Sequence, residues 1–245
     1  MSGGLPVQIW TMRVEATDTA YAERWQTVLD ATEQARAAGF VFNRHRMIYI
    51  AAHALLRSVL CQVVAGTKPA DWRLVAGRNG KPAAWLADRP GPLSFSLSHT
   101  GGMVGLATVA SRDEALGFDL EALDRRINLD IASHYFCAEE VMWLHRLPPA
   151  DRPEGFLRLW TLKEAFIKAT GEGLARDLAS FWFEPELPRI HFEPHDEDAA
   201  GDWQFEQRVT DGGFIASAGI RRRDRLLVTF EWKEIAASGF RPAPP

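Results

Sequence analysis

Apolar residues along this chain follow first a helical spacing, then an alternating one, then both again. Tyr21, Trp25, Val28 and Leu29 line one face of a helix expected from Asp18 to Ala38, with Gly39 as its stop. A second helix is expected from Asn43 to Val64 around Leu55, Leu56, Val59 and Leu60. After a loop holding Gly77, Gly80-Lys81-Pro82 and Pro90-Gly91-Pro92 the period falls to two, and Leu93, Phe95 and Leu97 interleave with Ser94, Ser96 and Ser98. Thr100-Gly101-Gly102 turns the chain into a strand over 103–110, and residues 111–114 turn it into a third strand at Ala115. The pattern predicts a three-strand meander. Its first and third strands would end on one edge, placing Ser98 and His99 roughly 10 Å, two strand spacings, from Asp119 and Glu121.

Helical spacing returns over 128–145 in two pieces. The second has Cys137 as N-cap, Glu140 as the third-position acid, and Phe136 with Val141 as a hydrophobic staple. Past Pro148 and Pro149, a helix opening at Pro153 or Glu154 runs to Gly171 or Gly173. The last third alternates, with strands expected at 179–184, 189–193, 203–209, 214–219 and 225–232, and the proline-rich stretch from Gly239 reads as a loose tail.

Two of these elements carry chemistry. A strand over 115–121 sets Gly117, Asp119 and Glu121 on one face and Leu116, Phe118 and Leu120 on the other. At a separation of roughly 7 Å the two acids repel by about 2 kcal/mol at an effective dielectric near 20. Such a pair on a half-buried strand suits a bound cation, and all-oxygen donors suit Mg²⁺ rather than Zn²⁺. The alternative is the solvated face of an edge strand. On the helix before Gly171, Trp160, Glu164 and Lys168 follow at i, i+4 and i+8 and form one stripe. Its alternative is a surface Glu-to-Lys pair worth about 0.3–0.5 kcal/mol. Arg44, Arg46 and Arg57 on the second helix are either solvating charges or part of an anion site, and Arg221 to Arg225 reads as a solvated turn.

The rest of the composition narrows the class. A net charge of −4 gives no general reason to expect a nucleic-acid or membrane-surface partner, so any anion site is local. Cys61 and Cys137 stand alone, without the spacing of a thiolate zinc site or a disulfide framework. A reducing, cytoplasmic setting fits. No run approaches the ~18 apolar residues of a membrane span.

Taken in order, Gly80-Lys81-Pro82, Phe95-Ser96-Leu97-Ser98-His99, Gly117-Phe118-Asp119-Leu120-Glu121, Phe136-Cys137-Ala138-Glu139-Glu140 and Trp160-Thr161-Leu162-Lys163-Glu164-Ala165 through Lys168 to Gly171-Glu172-Gly173-Leu174 resemble the 4′-phosphopantetheinyl transferases of the larger, Sfp-like class. Cys137 stands where that family usually has serine, and Ile48 where it often has an arginine. The resemblance implies transfer of the phosphopantetheine arm of coenzyme A to a serine of an apo acyl, polyketide or peptidyl carrier protein, releasing 3′,5′-ADP. It further implies that Asp119, Glu121 and Glu164 hold Mg²⁺ or Mn²⁺. Glu164 would also be the base, and Lys168 would contact the transferred phosphate. Lys81, Ser98, His99, Arg46 and Arg44 would then contact coenzyme A. The implied fold is α+β, a monomeric pseudo-dimer of two similar halves, 1–112 and 113–245, serving fatty-acid or secondary metabolism. A module of this fold that binds carriers or nucleotides without catalysis is the alternative, disfavoured because Asp119, Glu121, Glu164 and Lys168 are all present.

Overall fold

A computed structural model of the chain describes residues 5–15, 19–77, 80–192 and 200–244. Its mixed α+β elements separate into two compact units.

One unit comprises Pro6–Gly77, Pro82–Asp113 and the chain from Phe230 on. Its main sheet runs β12 (Phe230–Ala236), β1 (Val7–Arg13), β6 (Met103–Val109), β5 (Ser94–Thr100), with β1 parallel to β12 and the other pairs antiparallel. A smaller sheet joins β2 (Trp72–Ala76), β3 (Pro82–Leu86) and β4 (Arg89–Pro90). Helix α3 (Asn43–Val63) packs on β5 and β6, burying a run from Met47 to Leu60. Met47, Ile50, Leu55 and Trp25 centre the core.

The helix expected from Asp18, a residue outside those described, is two helices, α1 (Thr19–Gln26) and α2 (Ala31–Ala38). The break is a capping box: the Glu33 backbone N–H donates to the Asp30 carboxylate at 2.8 Å, and the Asp30 N–H donates to the Glu33 carboxylate at 2.9 Å. Arg57 does not solvate its helix. It is fully buried, with Nε donating to Glu33 at 2.6 Å and one Nη donating to Asp30 at 2.5 Å. The stretch expected as a loose tail holds Phe240, 6 % exposed and against Trp25 at 6.0 Å between ring centres.

The other unit is built from Glu114–Thr229 together with Lys81. Its three-stranded antiparallel sheet has the order β10 (Trp203–Thr210), β11 (Phe214–Arg221), β7 (Ala115–Ala122). A hairpin, β8 (Phe181–Glu184) with β9 (Arg189–Phe192), and helices α4 (Ala132–Tyr135), α5 (Ala138–Arg146) and α6 (Arg152–Thr170) complete it. Phe166, Phe181, Leu159 and Leu162 centre this second core.

The expected meander is thereby corrected. Strands β5 and β6 do pair, but β7 leaves them and pairs with β11. Adjacency of successive strands is only a tendency, and a five-residue connection can lead into another sheet. What decides is that β7 is buried on both faces: Leu116, Phe118 and Leu120 are at most 1 % exposed, and the Gly117 face lies under α6. The expected proximity of Ser98 and His99 to Asp119 and Glu121 was argued from that meander, so that argument no longer supports it. The last expected strand, 225–232, is displaced to β12 because 222–229 is occupied by a turn in which Arg225 has φ of +57°. In that turn Arg222 is 7 % exposed and paired with Asp224 and Glu114, so it is not solvated.

Candidate active site

Helix α6 and strand β7 meet at backbone distance. A Cβ on Gly117 would stand 1.8 Å from the Ala165 carbonyl oxygen and 2.6 Å from the Ala169 nitrogen, so any other residue there would push the helix off the strand. Pro153 suits the first turn of α6, where its missing N–H leaves nothing unbonded. Gly171 closes the helix in the left-handed conformation at φ +72°, donating its N–H to Ile167. From Leu159 to Ala169 only Trp160, Glu164 and Lys168 are other than buried, so the stripe expected from sequence is the one open face of the helix.

That face meets the acid face of β7. Lys168 Nζ donates to Asp119 Oδ1 at 2.5 Å, with the Asp119 side chain 8 % exposed and the lysine 31 %. Glu121 accepts from Arg125, four residues on and in the loop after β7. Burial pushes the Glu164 carboxyl above its ordinary pKa of 4.5, the negative charge of Asp119 and Glu121 adds to this, and Lys168 opposes it. Three carboxylates and one ammonium thus share a half-enclosed face with the acids in excess. Asp119 is buried beneath α6, so β7 does not carry a solvated edge face.

Lys81 belongs to the same unit. Its Nζ donates to the Leu116 carbonyl at 3.0 Å and to the Ala169 carbonyl at 2.9 Å, tying the start of β7 to the end of α6. Burial alone pulls its pKa down from 10.5 to about 8. Ser98 and His99 lie near the end of β5 in the other unit, Ser98 buried and His99 exposed. Arg44, exposed, and Arg46, half-buried, sit at the start of α3 in that unit.

Sequence reasoning missed two features. Arg125 stands four residues after Glu121, a spacing that could have suggested the pair. Lys163, next to Glu164, is fully buried and paired at 2.9 Å with Glu140 of α5; no local pattern joins two residues so far apart in sequence. Cys137 heads α5 as expected, donating its backbone N–H to Glu140 at 3.2 Å, and burial pushes its thiol up to about 12.

Among the described residues no three His, Cys, Asp or Glu side chains converge as a ready metal cage. Asp119 and Glu121 instead lie on Lys168 and Arg125. The donor set still fits a hard divalent cation, because its donors are all carboxylate oxygens and Glu164 carries a burden of negative charge that a cation would relieve.

Known proteins are similar to this chain in sequence. The model of the 4′-phosphopantetheinyl transferase superfamily matches residues 115–218, from β7 through most of β11 and including all of α6. The 4′-phosphopantetheinyl transferase HetI of Nostoc sp. is 30 % identical over 217 residues, covering 87 % of each chain. The 4′-phosphopantetheinyl transferase psf-1 of Bacillus pumilus is 35 % identical over 164 residues, 66 % of this chain and 60 % of the relative. Sfp of Bacillus subtilis, also a 4′-phosphopantetheinyl transferase, is 28 % identical over 159 residues, 65 % of this chain and 67 % of the relative.

Proposed function

The chain belongs to the 4′-phosphopantetheinyl transferase family, and from that premise we propose that Asp119, Glu121, Glu164 and Lys168 are where it transfers the phosphopantetheine arm of coenzyme A to a carrier-protein serine. The observation that carries the assignment is Glu164, a half-buried carboxylate with raised pKa, set on the open stripe of α6 beside two further acids and a lysine. A raised carboxylate pKa brings the group closer to the working range of a general base.

In the reaction the serine oxygen forms a bond to the phosphorus bearing the pantetheine arm, and the bond from that phosphorus to the bridging oxygen of the pyrophosphate breaks. Glu164 takes the hydroxyl proton as the oxygen attacks. Lys168 donates N–H to a non-bridging oxygen of the transferred phosphoryl group, where negative charge is spread in the transition state. The 3′,5′-ADP leaves with the bridging oxygen. Asp119, Glu121 and Glu164 would hold the divalent cation, Mg²⁺ with Mn²⁺ as the substitute, which when bound neutralises pyrophosphate charge. Lys81 has given two of its three N–H donors to carbonyls, and the third suits a phosphate oxygen of coenzyme A. Ser98, His99, Arg46 and Arg44 are assigned to coenzyme A on the family resemblance. The partners are apo acyl, polyketide or peptidyl carriers, and a monomer is expected.

Incubation of an apo carrier with coenzyme A and Mg²⁺ is expected to add one phosphopantetheinyl group, read by intact mass. No gain on fatty-acid, polyketide and peptide carriers would leave a non-catalytic binding module. Glu164→Gln is expected to lower kcat by about 10²-fold or more, the scale of a lost general base, and wild-type turnover in that variant would remove Glu164 from the mechanism.

A further inference from the structure

Cross-strand register sets three polar residues in one row across the second unit's sheet. Gln207 of β10 lies opposite Ser217 of β11, and Ser217 lies opposite Asp119 of β7. Directly opposed residues point to the same face, and the Gly117 contacts identify this as the face under α6. The helix touches the row at Gln207, through Arg158, and at two further points. Lys168 meets Asp119 at 2.5 Å, and Thr161 Oγ1 meets Ser217 Oγ at 2.8 Å.

The hydroxyl protons of the second contact can be placed by counting donors. Thr161 has one proton, and its oxygen stands 2.9 Å from the Leu157 carbonyl one turn back, which can only accept. Thr161 therefore accepts from Ser217, and Ser217 in turn accepts from Gln207 Nε2 at 2.9 Å. The second Nε2 proton goes to the Arg158 carbonyl at 2.9 Å. Thr161 and Ser217 are both fully buried, so each hydrogen bond here is made away from water, where one left unmade is costly.

We infer that the chain Gln207 to Ser217 to Thr161 is a positioning device: it fixes the rotation of α6 about its axis so that Glu164 and Lys168 face Asp119. This rests on the transferase reading of that face. Glu164 lies three residues beyond Thr161, a little less than one helical turn, and Lys168 lies seven residues beyond, close to two turns. A helix turned on its axis would swing both away from β7 while its apolar contacts to the core slid only slightly. Apolar packing alone specifies that rotation poorly, because hydrophobic burial has no direction. A hydroxyl bonded on two sides does specify it.

The test uses the full chain with an apo carrier. Thr161→Val removes the hydroxyl at constant shape, Thr161→Ser keeps it, and Gln207→Met cuts the relay at its outer end, where folding is least at risk. Ile190→Ala, in the buried core at β9 and outside the relay, controls for lost stability. A slight misplacement of reacting groups can lower the rate by up to about 10²-fold, so Thr161→Val is expected to lower kcat about tenfold or more with KM for coenzyme A within about twofold. Gln207→Met should act in the same sense more weakly. Thr161→Ser should return kcat to within about threefold of wild type, and Ile190→Ala should keep it at temperatures where the protein is folded. A Thr161→Val kcat within about twofold of wild type, failure of serine to rescue, or equal loss in Ile190→Ala overturns the device. Were the wild type itself inactive, the transferase reading would fall. Amide exchange would then decide the relay: faster exchange over 157–168 in Thr161→Val, restored in Thr161→Ser, supports it, and unchanged exchange overturns it.

Discussion

Two lysines five positions apart on α6 each pair with a carboxylate, and they do opposite work. Lys163 and Glu140 are 0 % and 1 % exposed. The lysine is saturated by Glu140 and by the carbonyls of Leu178 and Phe181, both at 2.7 Å, while Glu140 also accepts from the Phe183 and Cys137 backbone. Lys168 and Asp119 pair at 2.5 Å, but the lysine is 31 % exposed and stands next to Glu164. At about 100° per residue, five positions rotate a side chain by roughly 140° around the helix. One lysine therefore points into the core and the other onto the open stripe. A buried pair with every proton placed is scaffolding, whereas an ion pair on an acid-rich open face can exchange its partner for a ligand.

Breaking the inner pair should produce the largest effect. Lys163→Met leaves Glu140 charged and buried without its cation, and loss of one partner of such a pair costs about 3–5 kcal/mol. Urea unfolding should show that loss, and a change under about 1 kcal/mol would mean that Glu140 is protonated or hydrated in the fold. Breaking the outer pair should separate activity from stability. Lys168→Met removes the donor proposed for the transferred phosphoryl group, and loss of such a donor lowers kcat by about 10²–10³-fold. Stability should fall by only about 1–2 kcal/mol, because solvent reaches the site and can rehydrate Asp119. Equal stability losses in the two variants would dissolve the distinction between the pairs.

The two members of the outer pair stood out in the sequence, each within its own element though not as a pair, and those of the inner pair did not. Trp160, Glu164 and Lys168 declare themselves by a four-residue period, and Asp119 with Glu121 by a two-residue one, because local geometry fixes which side chains share a face. Lys163 and Glu140 belong to different helices, and only tertiary packing brings them together. The same limit explains β7: alternation revealed the strand, but its partner β11 lies about a hundred residues away. Arg57 was misread for a related reason, since its acids Asp30 and Glu33 sit on another helix. The Asp30 break could have been read, because an aspartate with glutamate three residues on is a local capping signal.

Lys81 is a third lysine of this unit, bonded to carbonyls rather than to an acid. Its native pKa of about 8 lies below the ordinary 10.5, so between those values the unfolded chain binds more protons than the folded one. Stability should therefore rise with pH across that window relative to Lys81→Met, by on the order of 1–3 kcal/mol. Parallel pH profiles of wild type and variant would mean that Lys81 is as well solvated folded as unfolded.

The smallest effect has the opposite sign to the others. Glu164 has its native pKa raised, so its ionised form is disfavoured in the fold, and its penalty grows as pH rises from the ordinary 4.5 through the native value. Glu164→Gln removes that charge from beside Asp119 and Glu121 while keeping the shape. Above that window the variant should be more stable than wild type by about 1 kcal/mol, or roughly 2–4 °C in Tm for a chain of this size. Near pH 4 the two should converge, because Glu164 is then protonated in both folded and unfolded wild type. Mg²⁺ should raise the wild-type Tm more than that of the variant. A variant less stable than wild type at neutral pH would mean that Glu164 is held by favourable contacts, as Glu140 is, and belongs with the scaffold rather than with the chemistry.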